Sequence, residues 1–217
     1  MKEYDYILFD LDGTLTDSAE GIINSVKYAL EQYGVTGLVR EELLKFIGPP
    51  LQDSFMEYYH FSKEEALNAV AFYREYFSKK GIFENRVYDG IPEFLDKLKK
   101  KGKKLLVATS KPEKFTYQIL AHFDLEKYFD FIAGATMDET RNQKPDIIRY
   151  ALSSIENLNP DKVVMIGDRH HDIDGAIINH IDSIGVLYGY GTREELTKAG
   201  ATYIASGVAE LEELFCV

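Results

Sequence analysis

Apolar residues along this chain follow two rhythms. Residues 6–9 (Tyr6-Ile7-Leu8-Phe9) form a continuous apolar run, which predicts a strand buried on both faces. From residue 17 the rhythm turns helical: Ile22, Ile23, Val26, Ala29, Leu30 and Tyr33 share one face, behind a cap at Asp17 or Ser18 and ahead of a stop at Gly34. Two shorter helices are predicted over 39–47 and 51–60, separated by Gly48-Pro49-Pro50, and a longer one over 63–79 ending near Gly81. Residues 16–85 therefore predict a helical bundle with no strand. After Val87 the two rhythms alternate. Strands are predicted over 104–108, 131–134, 163–166, 183–187 and 203–205, and helices over 92–101, 113–122, 146–155, 174–179 and 194–199.

This alternation predicts an α/β fold, a doubly wound parallel sheet of Rossmann-like type with right-handed crossovers. The core comprises residues 1–15 and 86–217, and the helical bundle over 16–85 is inserted into it as a cap domain. Ligands of such sheets bind beyond the carboxyl ends of the strands, so the residues standing there are the candidates for chemistry. The first strand ends in Asp10-Leu11-Asp12-Gly13-Thr14. Strand periodicity points Asp10 and Asp12 the same way, and two like charges so close call for a bound cation or a held proton. The strand at 104–108 ends in Thr109 and Ser110. The strand at 163–166 ends in Gly167 and Asp168, with Asp172 following, and Lys144 precedes a helix at the same end of the sheet. Singly, each reads as a cap, a turn former or a solvated lysine. Together at one sheet edge they form a coherent set.

Charge sharpens the reading. The 217 residues carry a formal net charge of −11, which argues against nucleic-acid binding and leaves any phosphate site in need of local positive charge. No stretch reaches the roughly 18–20 apolar residues that cross a bilayer, so no membrane partner is expected. The single cysteine, Cys216, cannot form an internal disulfide, and the expected compartment is cytoplasmic. Nothing in the pattern specifies an oligomeric state. Carboxylates without a cysteine cluster suit Mg2+, which takes one or two carboxylates together with substrate phosphate and water. Asp10 then reads as a nucleophile that forms an aspartyl phosphate, and Asp12 as the acid and base. Lys144, Thr109 and the Ser110 amide read as the groups that hold the phosphoryl oxygens.

With these stations placed, the chain resembles the haloacid dehalogenase-like hydrolase superfamily over essentially its whole length. The resemblance rests on Asp10-Leu11-Asp12-Gly13-Thr14, Val107-Ala108-Thr109-Ser110, Lys144-Pro145 and Gly167-Asp168-Arg169-His170-His171-Asp172, in that order. It implies that Asp10, the Asp12 carbonyl and Asp168 bind Mg2+, that Thr109, Ser110 and Lys144 bind phosphate, and that Asp172 supports the metal site. The expected activity is hydrolysis of a small phosphorylated metabolite, of the phosphoglycolate or nucleoside 5'-monophosphate type. Alternatives are a pyrophosphatase, which a similar Phe46–Leu51 loop keeps open, a sugar phosphomutase, and a phosphoaspartate signalling receiver. Mutases of this kind commonly carry a cap-loop arginine, and a glutamate where this chain has Gly167. Receivers carry no cap. Three further features read as structural: Gly189-Tyr190-Gly191 as an ordinary turn in preference to a mobile loop that approaches the site, His170-His171 as residues within a motif, and Phe55, Tyr58 and Tyr59 as cap core.

Overall fold

The structure, a computed structural model, describes residues 2–138 and 140–217. The chain runs β1 (Tyr6–Phe9), β2 (Thr16–Asp17), α1 (Ala19–Glu31), α2 (Arg40–Leu43), α3 (Leu51–Tyr59) and α4 (Lys63–Tyr76). It continues through β3 (Arg86–Val87), α5 (Ile91–Lys100), β4 (Lys104–Pro112), α6 (Glu113–His122), β5 (Phe131–Ala135) and α7 (Lys144–Leu152). The last elements are β6 (Val163–Gly167), α8 (His170–Ile178), β7 (Asp182–Val186), α9 (Arg193–Ala199), β8 (Tyr203–Ala205) and α10 (Val208–Phe215). These elements form two compact units, Met1–Thr16 with Val87–Val217, and Asp17–Arg86. The short strands β2 and β3, where the chain leaves and re-enters the first unit, pair with each other.

The first unit is an α/β doubly wound sheet. Six parallel strands lie in the order β5-β4-β1-β6-β7-β8, so the winding reverses between β1 and β6, where a crevice opens at the carboxyl ends. Phe9 of β1 stands level with Val107 on one side and Ile166 on the other, which sets Asp10 at the mouth of that crevice. The apolar run in β1 is continuous because both of its faces are covered. Leu8 packs with Ile147, Ile148, Ala151 and Ala176 of α7 and α8, whereas the Phe9 ring lies edge-on to Phe94 of α5 at 6.3 Å. The helix α10 escapes the sequence pattern because it is short and acidic. It is anchored by Phe215, whose ring lies 5.8 Å from Phe94 and 6.5 Å from Tyr4.

The second unit is helical. One face of α1 buries Ile22, Ile23, Val26, Ala29 and Leu30, as its periodicity requires, and Ser62 and Glu65 close a capping box on α4. The single helix expected over 39–47 is instead α2 followed by a 3-10 turn at Leu44–Phe46, just before the Gly48-Pro49-Pro50 break. Phe55 is fully buried, 5.1 Å from the Phe46 ring and stacked on Phe61, so it belongs to the core of this unit. Tyr58 packs on Phe46 and carries the Lys45 ammonium over its face, 4.1 Å from the ring centre.

Candidate active site

Three strands deliver the site, and a distortion in one of them shapes it. Between Ala108 and Pro112, β4 advances four residues while β5 advances two, from Ala133 to Ala135. Such a bulge takes the intervening residues out of the ladder and re-aims their side chains, here Thr109, Ser110 and Lys111 at the crevice end of the strand. Gly134 makes the distortion possible, because a Cβ there would sit 2.6 Å from the Lys111 carbonyl oxygen. Thr109 is buried, and its Oγ1 accepts a hydrogen bond from the Lys111 amide at 3.3 Å. Ser110, half-buried, stands beside it.

Asp10, Asp168 and Asp172 are all buried, and each offers an oxygen within 4.8 Å of the others. Lys144, the first residue of α7, reaches into this group. Its Nζ lies 2.9 Å from Asp10 Oδ1 and 2.7 Å from Asp172 Oδ1, and it donates to the Ala108 carbonyl at 3.2 Å. Burial opposes its charge, but Asp10 and Asp172 outweigh burial and hold its pKa above the ordinary lysine value. Asp172 Oδ2 also accepts the Arg169 amide at 3.1 Å, which caps α8 and starts that helix at His170, ahead of the predicted start at 174. A Cβ on Gly167 would lie 2.1 Å from Asp172 Cγ, so this placement of Asp172 excludes a glutamate at position 167.

Asp12 stands apart from that group. Its Oδ2 pairs with Lys111 at 2.9 Å, and its Oδ1 is buried without a hydrogen-bond partner among the described residues. The two aspartates that the strand pattern aims together thus have separate counter-ions, Lys144 for Asp10 and Lys111 for Asp12. The sequence pattern does not single out Lys111, although its position directly after Thr109-Ser110 is a signal.

Of the two readings of Gly189-Tyr190-Gly191, an ordinary turn or a loop that approaches the site, the approach is the one observed. The Tyr190 amide donates to Asp168 Oδ2 at 2.8 Å, and the Tyr188 hydroxyl donates to the Thr14 carbonyl at 3.0 Å. A Cβ on Gly189 would lie 2.3 Å from the Gly13 carbonyl oxygen and 2.4 Å from Asp168 Cβ, and one on Gly191 would lie 1.9 Å from the Asp168 carbonyl oxygen. The signal was the pair of glycines after a buried strand, which permits close backbone approach. Gly189→Ala should therefore lower the melting midpoint, by roughly 1–3 kcal/mol of stability as for other overpacked sites, and shrink the rise in midpoint that Mg2+ produces. Thermal melts with and without Mg2+ check both effects.

The residues fit a hard divalent cation. Four carboxylates (Asp10, Asp12, Asp168 and Asp172) face two ammonium groups (Lys111 and Lys144), leaving two negative charges for a cation to balance. Burial, followed by the charges of Asp172 and Asp10, pushes Asp168 well above the carboxylate range, so its charged form is disfavoured here and a bound cation would relieve that cost. Burial also raises Asp10, while Lys144 and a hydrogen bond from Thr109 pull it down. The histidine pair is not among the oxygen donors: His170 Nδ1 faces Asp174 at 3.0 Å. Burial, then His170 and Arg169, push His171 down to about 4, so it is neutral at pH 7. The lysine-rich run at 97–104 is no phosphate site, because Lys97 pairs with Glu212, Lys100 with Asp96, and Lys99 and Lys104 share Asp130.

Residues 7–186 match the family model described as haloacid dehalogenase-like hydrolase. The chain is a haloacid dehalogenase-like hydrolase. Solved structures similar to this hydrolase include a predicted phosphatase from Clostridium acetobutylicum, with 53% identity and a TM-score of 0.95 over 99% of both chains. A 5'-nucleotidase from Pseudomonas aeruginosa is 46% identical over 97% of this chain and 95% of its own length. The tyrosine-protein kinase PtkA of Mycobacterium tuberculosis is 39% identical over 95% of this chain and 71% of its own. The haloacid dehalogenase-like hydrolase described here is accordingly an enzyme of the phosphatase type. None of its described helices is long and apolar enough to cross a membrane.

Proposed function

We propose that this enzyme is a Mg2+-dependent cytoplasmic phosphatase that hydrolyses a small-metabolite phosphomonoester through an aspartyl phosphate on Asp10. The observation that carries the proposal is the buried triad of Asp10, Asp168 and Asp172 around Lys144, with its unbalanced negative charge. A group of this kind is costly to bury, and binding a cation and a phosphoryl group would offset that cost. Asp10, Asp168 and the Asp12 carbonyl would hold Mg2+, and Asp172 would support them. The cation, when bound, supplies charge neutralisation for the incoming phosphoryl group. Asp10 attacks phosphorus, and the phosphorus–oxygen bond to the leaving group breaks. Lys144, Thr109 and the Ser110 amide hold the equatorial oxygens as their charge shifts. Asp12 gives a proton to the leaving oxygen and then takes one from the water that cleaves the aspartyl phosphate. The helical insertion over 16–85 acts as the cap and supplies selection among substrates.

The name of the Pseudomonas relative puts nucleoside 5'-monophosphates first among substrates, with phosphoglycolate second. Return of the phosphoryl group to a sugar is disfavoured, because Gly167 cannot become the mutase glutamate while Asp172 stays where it is. The test is phosphate release from nucleoside monophosphates, phosphoglycolate and pyrophosphate. Release should stop in EDTA and return with excess Mg2+. Mg2+ at about 100 times its Kd should also add ~2.7 kcal/mol of stability, read as a higher melting midpoint. No Mg2+-dependent release from any ester would refute the proposal. Phosphate transfer from a nucleoside triphosphate to tyrosine, without net hydrolysis, would place the chain with its mycobacterial relative instead.

A further inference from the structure

We propose that Lys111 is the positioning residue for Asp12, gripping one carboxylate oxygen so that the other is presented to the leaving group. The inference rests on the reading of Asp12 as the proton carrier. Lys111 is itself buried, with its side chain 5% exposed, and its Nζ holds Asp12 Oδ2 at 2.9 Å. Asp12 Oδ1, on the same carboxylate, is buried and has no hydrogen-bond partner among the described residues. A buried acceptor left unpaired is destabilising, so its retention is explained where a reacting group supplies the missing partner.

The backbone around Lys111 is built to hold this grip. The bulge in β4 takes the 109–111 segment out of the ladder, and the Lys111 amide then donates to Thr109 Oγ1 at 3.3 Å. The Thr116 hydroxyl donates to the Pro112 carbonyl at 3.2 Å, at the end of the same segment, and the missing Cβ of Gly134 leaves the space that the Lys111 carbonyl occupies. One distorted segment thus carries both Thr109, which bonds to Asp10, and Lys111, which bonds to Asp12. The distortion that shapes the phosphate grip also fixes the acid. With Oδ2 held, the carboxyl keeps one orientation: in its protonated form Oδ1 gives its proton to the leaving oxygen as the bond to phosphorus breaks, and Oδ1 takes a proton back from the water that cleaves the aspartyl phosphate.

The test compares kcat/KM, which reports the step that expels the leaving group, for p-nitrophenyl phosphate and a primary alkyl phosphate. The activated ester leaves without a proton, whereas the alkyl ester needs one. Lys111→Met should lower kcat/KM for the alkyl ester on the order of 100-fold and by a much smaller factor for p-nitrophenyl phosphate. Lys111→Arg should recover part of the loss. In an Asp12→Asn background, Lys111→Met should add little, because the two residues act as a unit. That double variant carries neither charge and so provides a folded comparison if Lys111→Met alone is unstable. Equal losses for both esters, or fully additive losses in the double variant, overturn the positioning role. If Asp12→Asn alone shows no preference between the esters, the proton-carrier reading falls and takes this inference with it. If Asp12→Asn shows the preference and Lys111→Met does not, only this inference falls.

Discussion

Asp10→Asn should abolish phosphate release, by about 10^4-fold or more, while leaving the fold intact. The amide cannot attack phosphorus, yet its oxygen can still accept the Leu11 amide, which lies 2.7 Å from Asp10 Oδ1. Lys144 keeps Asp172 at 2.7 Å, so no buried ammonium is stranded. The stability effect has a definite sign. Burial raises the folded-state pKa of Asp10, so its contribution is present at low pH and is lost as pH rises through that value. The variant's melting midpoint relative to wild type, both in EDTA, should therefore rise as pH is raised above the ordinary carboxylate range. A p-nitrophenyl phosphate assay and a pair of melts check both parts. Near-normal turnover by the variant would exclude Asp10 as the nucleophile.

Lys144→Met is the converse case and should damage both activity and stability. It leaves Asp10, Asp168 and Asp172 buried within 4.8 Å of one another with no ammonium among them. Breaking a buried ion pair from one side costs about 3–5 kcal/mol, because the remaining charge is uncompensated. In EDTA at neutral pH the melting midpoint should fall accordingly. Lowering the pH should restore part of it, since carboxyls with raised pKa values are stable protonated and become a burden only as pH rises. Mg2+ should also restore part of the midpoint by supplying positive charge, but it should not restore turnover. A lysine held merely as surface charge would show neither rescue, so melts across pH, with and without Mg2+, separate the two roles.

Much of this site was legible in the sequence because its elements announce themselves locally. The apolar run at 6–9 and the alternation after residue 87 specify strands and helices by periodicity. The rule that parallel sheets bind at their carboxyl ends then selects Asp10, Thr109, Lys144 and Asp168 without coordinates. Asp172 was harder to rank. Its place in the acidic triad depends on Gly167 having no Cβ and on a helix start four residues earlier than its apolar pattern implies. The short acidic helix α10 is harder to read from the sequence, because what anchors it is tertiary: Leu211 is buried, Phe215 meets Tyr4 and Phe94, and Glu212 pairs with Lys97.

The sequence by itself determined the α/β sheet, its helical insertion and the stations at the strand ends, because hydrophobic period and turn chemistry act within a few residues of each other. Only the tertiary structure decided how charge is shared among those stations. Lys144 answers Asp10 and Asp172, Lys111 answers Asp12, and the Tyr190 amide answers Asp168. These pairings depend on a bulge in β4 and on backbone approaches between segments that lie up to about 180 residues apart. No local pattern encodes such distances; they follow from the register of the sheet and from the glycines that let its edges meet.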